Sequence, residues 1–374
     1  MSSAKGRNTG DQTCIFIGSF PFLRHMRIAL VAPPFITVPP QKYGGTELFI
    51  AELALGLQRA GVDVTVYTNG ESTIDCPVKW LYDRGEWPLD GEVEAALKGL
   101  NHAAWAIKEA AQDSDIIHVN NAPSLTASRF VDVPLVLTIH HAHDAALSEF
   151  YRLFPRVSYV TISRFQRNWL RMPWMRAIHH GIDLSQYRVE PRKQNYLSFL
   201  GRVAPPKGTH LAIEIAKKSG IPLKIAGEVQ PCYQDYWTSV VKPQVDGKFI
   251  EYIGEVGLEA KNELLANSLA MLFPIQWDEP FGLVMIESMA CGTPVLAMPG
   301  GSVTEVVREG ISGHVRASTA ELASCARELK IDARAVRCYA EEFFSAERMA
   351  RDYIHLYSEL VGDQTDSAVE GLVA

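Results

Sequence analysis

Two acidic side chains, two cationic ones and one histidine stand where this chain could do chemistry. Glu279 and Glu287 are separated by seven residues within the stretch from Trp277 to Val307, which reads Asp278-Glu279-Pro280-Phe281-Gly282, later Cys291-Gly292-Thr293-Pro294, and then Gly300-Gly301 ahead of Glu305. The apolar run Leu269 to Ile275 before it has the length of a buried strand, and a helix is expected to open at about Phe281. A strand feeding a glycine turn and a helix N-terminus leaves backbone N–H groups and a partial positive charge facing the crevice, which suits a phosphate. Glu279 falls in that turn, and Glu287 two turns into the helix. A carboxylate repels phosphate, so this pair is read as accepting hydrogen bonds from the hydroxyls of a ribose or hexose.

The run Glu-Pro-Phe-Gly-Leu-Val-Met-Ile-Glu-Ser-Met-Ala-Cys-Gly-Thr-Pro-Val-Leu, followed by Gly-Gly-Ser-Val-Thr-Glu-Val-Val, resembles the signature of family-four retaining glycosyltransferases of the GT-B fold. Gly201-Arg202-Val203 with Lys207-Gly208 after it matches the same family. The resemblance covers nearly all of 26–361. It implies two doubly wound, Rossmann-like parallel-sheet domains of α/β class facing across a cleft, and transfer of a hexose from a nucleotide-diphosphate sugar to a hydroxyl acceptor. It further implies that Glu287 holds the ribose, Arg202 and Lys207 the diphosphate, and Glu279 and His140 the sugar. The main-chain donors around Phe281, Gly282 and Leu283 would meet the sugar or phosphate, with the loop at Gly44 and Gly45 near the donor phosphate and the acceptor. Retention would follow from attack on the face the leaving group departs, a donor phosphate oxygen taking the acceptor proton; Glu279 as a covalent nucleophile is the alternative. Two departures stand out: His180-Gly181-Ile182-Asp183 replaces the common Asn-Gly-Val-Asp, and His140-His141 replaces His-Asp or His-Gly.

The residues support these assignments by position. In open parallel sheets ligands bind beyond the carboxyl ends of strands, and Gly44-Gly45, His140, Arg202 with Lys207, and Glu279 each follow an expected strand. Arg grips two phosphate oxygens in a fork while Lys is a compact charge, so the pair can neutralise a departing diphosphate. Glycine lets backbone approach a ligand closely. No metal or other cofactor is expected: Asp113-Ser114-Asp115 has the Asp-x-Asp form of manganese-dependent transferases but precedes a strand, at the wrong end of the sheet. In His140-His141-Ala142-His143, neighbouring side chains point to opposite faces and no tetrahedral set is completed.

Two series of alternating strands and helices position these loops. The first has strands at 28–32, 63–67, 116–119, 135–139, 159–162 and 177–179, with helices at 46–60 and 93–111. The second has strands at 196–201, 223–226, 250–253 and 269–275, with helices at 209–219, 233–245 and 258–268. The expected organisation is an extension at 1–25, poorly ordered or the product of an upstream start codon, an acceptor domain at 26–186 and a donor domain at 187–345. A linker lies between Asp183 and Arg192, and a final helix at 346–362, which the resemblance carries back onto the first domain, precedes a flexible tail at 363–374. The segment 163–176 reads as a helix capped by Ser163 and ended by Pro173. Arg164, Arg167 and Arg171 would lie on one side, with Phe165, Trp169 and Met172 on another. It can lie on an anionic membrane, grip a phosphorylated acceptor, or pack on the sheet as an ordinary surface helix, the last reading being preferred.

Composition narrows the classes. With 374 residues, 47% hydrophobic and 21% charged, the chain suits two soluble domains. A net charge of −7 argues against a general nucleic-acid binder. Six cysteines without paired spacing, no signal-like start and no apolar run of membrane-spanning length point to the cytoplasm. The rivals are a GT-B epimerase or phosphorylase, a non-catalytic two-domain sugar-binding protein, and a dehydrogenase, whose Gly-x-Gly-x-x-Gly turn neither domain offers.

Overall fold

A computed structural model describes residues 26–42, 44–87, 91–170, 172 and 175–373, with side chains to 362, that of Glu92 excepted. The expected extension at 1–25 lies outside the described residues, as do Arg171, Pro173 and Trp174. The first sheet has seven strands: β1 (Arg27–Val31), β2 (Asp63–Thr68), β3 (Val78–Trp80), β4 (Ile116–Val119), β5 (Leu135–Ile139), β6 (Ser158–Thr161) and β7 (Met175–Ala177), in the order β3-β2-β1-β4-β5-β6-β7. The second has six: β8 (Leu197–Leu200), β9 (Leu223–Ala226), β10 (Ile250–Gly254), β11 (Ala270–Phe273), β12 (Val295–Ala297) and β13 (Gly313–Val315), ordered β10-β9-β8-β11-β12-β13. Every strand pairing is parallel. Helices cover both faces, so central strands are continuous apolar runs; β4, β5 and β11 are buried at every position. Each sheet reverses strand order beside its first strand, between β1 and β4 and between β8 and β11, and those two reversal points face each other across the cleft.

Local departures from expectation have local causes. β3 is a three-residue edge strand, too short to show a pattern. β7 ends at Ala177 rather than His179, because His179 turns to hydrogen-bond Glu305 at 3.0 Å. The helix expected over 233–245 is broken into a helical turn, Gln234–Tyr236, a π-turn, Trp237–Val241, and a 3-10 turn, Lys242–Gln244; Pro243 has no N–H to give and its ring displaces the carbonyl a turn back. The helix after Ser163 runs Arg164–Leu170, with the Ser163 hydroxyl accepting from the Gln166 N–H at 3.1 Å. Its inward face is Gln166 and Leu170, with Met172 also buried, while Trp169 stays 54% exposed beside exposed Arg164 and Arg167, so Trp169 and Met172 do not share a side. Among the described residues no helix is long and apolar enough to cross a membrane.

The last helix, Ala346–Val373, continues past the end expected at 362, since no proline or paired glycine interrupts it. Its Met349, Ala350, Tyr353 and Tyr357 join the core beside β1 and the helix Gly45–Arg59. A buried polar chain fixes it there: Tyr357 Oη to His118 Nδ1 at 2.7 Å, His118 Nε2 to Thr138 Oγ1 at 2.7 Å, and Thr138 to Tyr353 Oη at 2.8 Å. Two chain segments cross side by side where the sheets meet. Ile182 N donates to Phe344 O and Ala346 N to Ile182 O, and a Cβ on Gly181 would stand 2.2 Å from Ser345 O.

Beside this crossing Glu52, 4% exposed, accepts from Asp183 N at 2.7 Å, and burial raises its carboxyl to about 8. The folded state therefore holds that proton more tightly than the unfolded chain does. The associated stability is complete below the ordinary glutamate range and is lost as pH climbs through about 8. Glu52→Gln should melt within about a degree of the parent at pH 5 and roughly 4 °C or more above it at pH 8.5; scanning calorimetry at the two pH values checks this.

Candidate active site

A cavity of about 450 Å³ opens between the carboxyl ends of the two sheets. A recess of about 120 Å³ shares Gly45, His140, Glu279, Pro280 and Leu283 with it. All ten residues singled out in the sequence line one or the other: Gly44, Gly45, His140, Arg202, Lys207, Glu279, Leu283 and Glu287 the cavity, and Phe281 and Gly282 the recess. They come from loops distant in sequence, brought together because each follows a strand at the same edge.

Glycine permits the closest approaches. Gly208 has φ 72°, and a Cβ there would lie 2.0 Å from Pro274 O, so only glycine lets the loop after β8 run against the end of β11. That contact sets Lys207 Nζ 2.5 Å from Glu279 Oε2. The same oxygen accepts from Trp277 Nε1 at 2.9 Å, and the ammonium lies 4.9 Å from the Trp277 ring centre. Glu279 Oε1 has no donor among the described residues. The helix predicted from Phe281 opens instead at Leu283, because Gly282 at φ 83° caps it in the left-handed conformation. Glu287 therefore sits one turn in, and Leu283 and Val284 turn the helix start into the cavity.

Glu287 is 2% exposed and stands beside two donors that sequence reading missed: Lys261 Nζ, in ion pair with Oε1, and Tyr187 Oη, 3.1 Å from the same oxygen. Burial beside that carboxylate pushes the Tyr187 phenol well above its ordinary value. Arg202 donates through Nη1 to Gln230 Oε1 at 3.2 Å. At the cavity mouth Lys42 Nζ approaches Glu255 at 3.4 Å across the two halves.

On the opposite wall His140 Nε2 lies 2.9 Å from Asn120 Oδ1, while Asn120 Nδ2 donates to Val31 O at 3.1 Å. With its amide group oriented by the carbonyl, Asn120 offers an oxygen, so Nε2 carries the proton and Nδ1 is a lone-pair acceptor. Burial, with His141 adjacent, pushes the His140 imidazole down to about 3 and keeps it neutral. His141 turns away to Tyr151 Oη at 2.5 Å, and His143 packs on Trp169. Among the described residues no three His, Cys, Asp or Glu side chains gather as metal ligands. Asp115 binds Arg27 at the start of β1, at the sheet edge opposite the cavity. Glu305, on the short helix Val303–Val306 that follows β12, accepts from Arg164 N at 2.9 Å and Phe165 N at 2.5 Å, tying the two halves together.

Comparison with known proteins agrees with this geometry. Residues 43–186 match the family model "Glycosyltransferase Family 4", and 183–331 match "Glycosyl transferases group 1". The chain is 25% identical to a glycogen synthase of Mycobacterium tuberculosis (87% of this chain, 89% of that one). It is 24% identical to a phosphatidyl-myo-inositol mannosyltransferase of Mycobacterium leprae (78% and 83%). Among solved structures it is similar to AviGT4, a glycosyltransferase involved in avilamycin A biosynthesis, with TM-score 0.71 and 25% identity over 90% of this chain and 98% of that one. It also shares the fold of Anabaena HepE, solved with UDP-glucose, at TM-score 0.71 and 19% identity over 90% and 100%. Two doubly wound sheets, a cleft at their facing carboxyl edges and both family models in order make this chain a member of the GT-B glycosyltransferases, its first half of family 4.

Proposed function

We propose that the enzyme moves a hexose, with retention of anomeric configuration and without a metal, from a uridine or guanosine diphosphate sugar of glucose or mannose type to a hydroxyl acceptor in glycan, polysaccharide or glycolipid synthesis. The observation that carries this reading is the Lys207–Glu279 contact at 2.5 Å. It puts a fixed cation for a leaving phosphate next to a carboxylate with a free oxygen for sugar hydroxyls. Arg202 on the same wall supplies the second charge, so neutralisation of the departing diphosphate is built into the chain. Leu283 and Val284 at the helix start add main-chain donors. Glu287, with Oε1 held by Lys261 and Tyr187, keeps Oε2 for the ribose. His140 Nδ1 accepts from a hydroxyl of the transferred sugar, and the phosphate oxygen freed on that face takes the acceptor's proton. A donor-bound relative of the same fold supports the nucleotide-sugar assignment. Five described cysteines, all free, support a reducing, cytoplasmic setting.

Melting curves in EDTA with UDP, GDP, UDP-glucose and GDP-mannose, followed by NMR of the product anomer, test the proposal. Stabilisation by one nucleotide and its sugar, with retained configuration in the product, is expected; no shift with any of them, or an inverted product, rejects it. Asn120→Ala should lower kcat by roughly tenfold, the worth of one oriented hydrogen bond, with the Kd for the bare nucleotide within twofold; steady-state kinetics beside calorimetry separates the two effects.

A further inference from the structure

His180 follows β7 where the resembled family carries asparagine, and it faces the recess beside His140. Its backbone is clamped by Arg348, whose Nη2 donates to His179 O at 2.7 Å and to His180 O at 2.9 Å. Its ring is stacked on His140 at 5.6 Å and 17°, meets Phe281 edge-on at 4.9 Å, and lies 4.8 Å from Phe49. The imidazole is thus held in one pose, only 3% exposed, and among the described residues its Nδ1 has no hydrogen-bond partner. A buried ring nitrogen left unpaired is uncommon and needs a ligand or an ordered water. Burial among His140, His179 and Arg348 keeps the ring uncharged.

We propose that His180 is a specificity-determining residue that hydrogen-bonds, through Nδ1, a neutral hydroxyl of the sugar being transferred. The inference rests on the donor reading given above. The recess joins the cavity at Glu279, whose other neighbour is the phosphate-facing Lys207, so the sugar attached to the diphosphate is the part of the ligand that reaches it. A hydroxyl both donates and accepts, and therefore satisfies Nδ1 in either tautomer. A carboxylate or phosphate would stand against Glu279 with no cation in the recess, and an alkyl group would leave the nitrogen unpaired.

The test is calorimetric titration of two matched pairs, UDP with UDP-glucose and GDP with GDP-mannose, into the parent, His180→Phe and His180→Asn proteins. Phe keeps a flat ring without nitrogens, and Asn restores a donor and an acceptor. For the pair that binds, His180→Phe should weaken the sugar nucleotide roughly tenfold and leave the bare nucleotide within twofold, whereas His180→Asn should recover most of the loss. Equal weakening of both members in His180→Phe would show a merely structural role, and no weakening of either would show that Nδ1 meets no sugar; each overturns the inference alone. If neither pair binds the parent protein, the donor reading fails and takes this inference with it.

Discussion

Replacing Arg202 and Lys207 together by Ala should lower kcat/KM by roughly 10⁴-fold or more, the largest effect the site predicts. Removing a single preorganised donor from a developing negative charge costs roughly 10²–10³ in rate, and here two full charges are withdrawn from the same leaving group. The single variants should differ in kind. Among the described residues Arg202 makes one side-chain hydrogen bond, to Gln230 at 3.2 Å, with the Glu228 charge near it, so Arg202→Ala should lose phosphate contact and leave melting nearly unchanged. Lys207 is the ionic partner of Glu279, whose side chain is 9% exposed, so Lys207→Ala also strands a buried carboxylate, with Trp277 Nε1 as its remaining donor. That variant should melt several degrees lower. Kinetics with a melting curve of each variant distinguishes the electrostatic loss from a folding defect.

Glu279→Gln should reduce turnover roughly 10²–10³-fold while binding bare UDP or GDP as tightly as the parent, or more tightly. The amide keeps the size and can still accept from Trp277, but it releases Lys207 from its 2.5 Å ion pair, freeing the ammonium for phosphate. Transfer and nucleotide affinity would then move in opposite directions, which a simple loss of packing cannot produce. The same variant separates the two routes to retention. With same-face attack Glu279 stays a hydrogen-bond acceptor, and mass spectrometry of the working enzyme finds no sugar on it. A glycosyl adduct on Glu279 would establish the covalent route instead.

Much of this site was legible because its chemistry lies in loops that follow strands. A parallel sheet announces itself through apolar runs alternating with helical periodicity, and its carboxyl edge is where ligands bind, so Gly44, His140, Arg202 and Glu279 are placed by the sequence alone. Their partners were harder to see. Lys261 meets Glu287 from a separate helix, Leu258–Asn267, and Tyr187 meets it from the segment joining the two sheets. Neither carries a local signal, since pairing across 26 or 100 residues is decided by how elements pack. Asn120 could have been found: it is the residue after β4, and the same rule about strand ends applies to it. His180 was visible as a departure from the family pattern, but its unpaired nitrogen emerges only once His140, Phe49 and Phe281 close around the ring. The misplaced helix start had a smaller cause, the left-handed Gly282, which delays the helix by two residues and leaves Glu287 one turn in rather than two.

The diphosphate cradle proposed for one wall of the cleft can be probed by titrating UDP and uridine, and GDP and guanosine, into the metal-free parent protein and the Arg202→Ala/Lys207→Ala variant. For one base the diphosphate should bind the parent at least roughly a hundredfold more tightly than the nucleoside, and the double variant should bind the two alike. A double variant that keeps the parent's preference for the diphosphate would contradict the cradle.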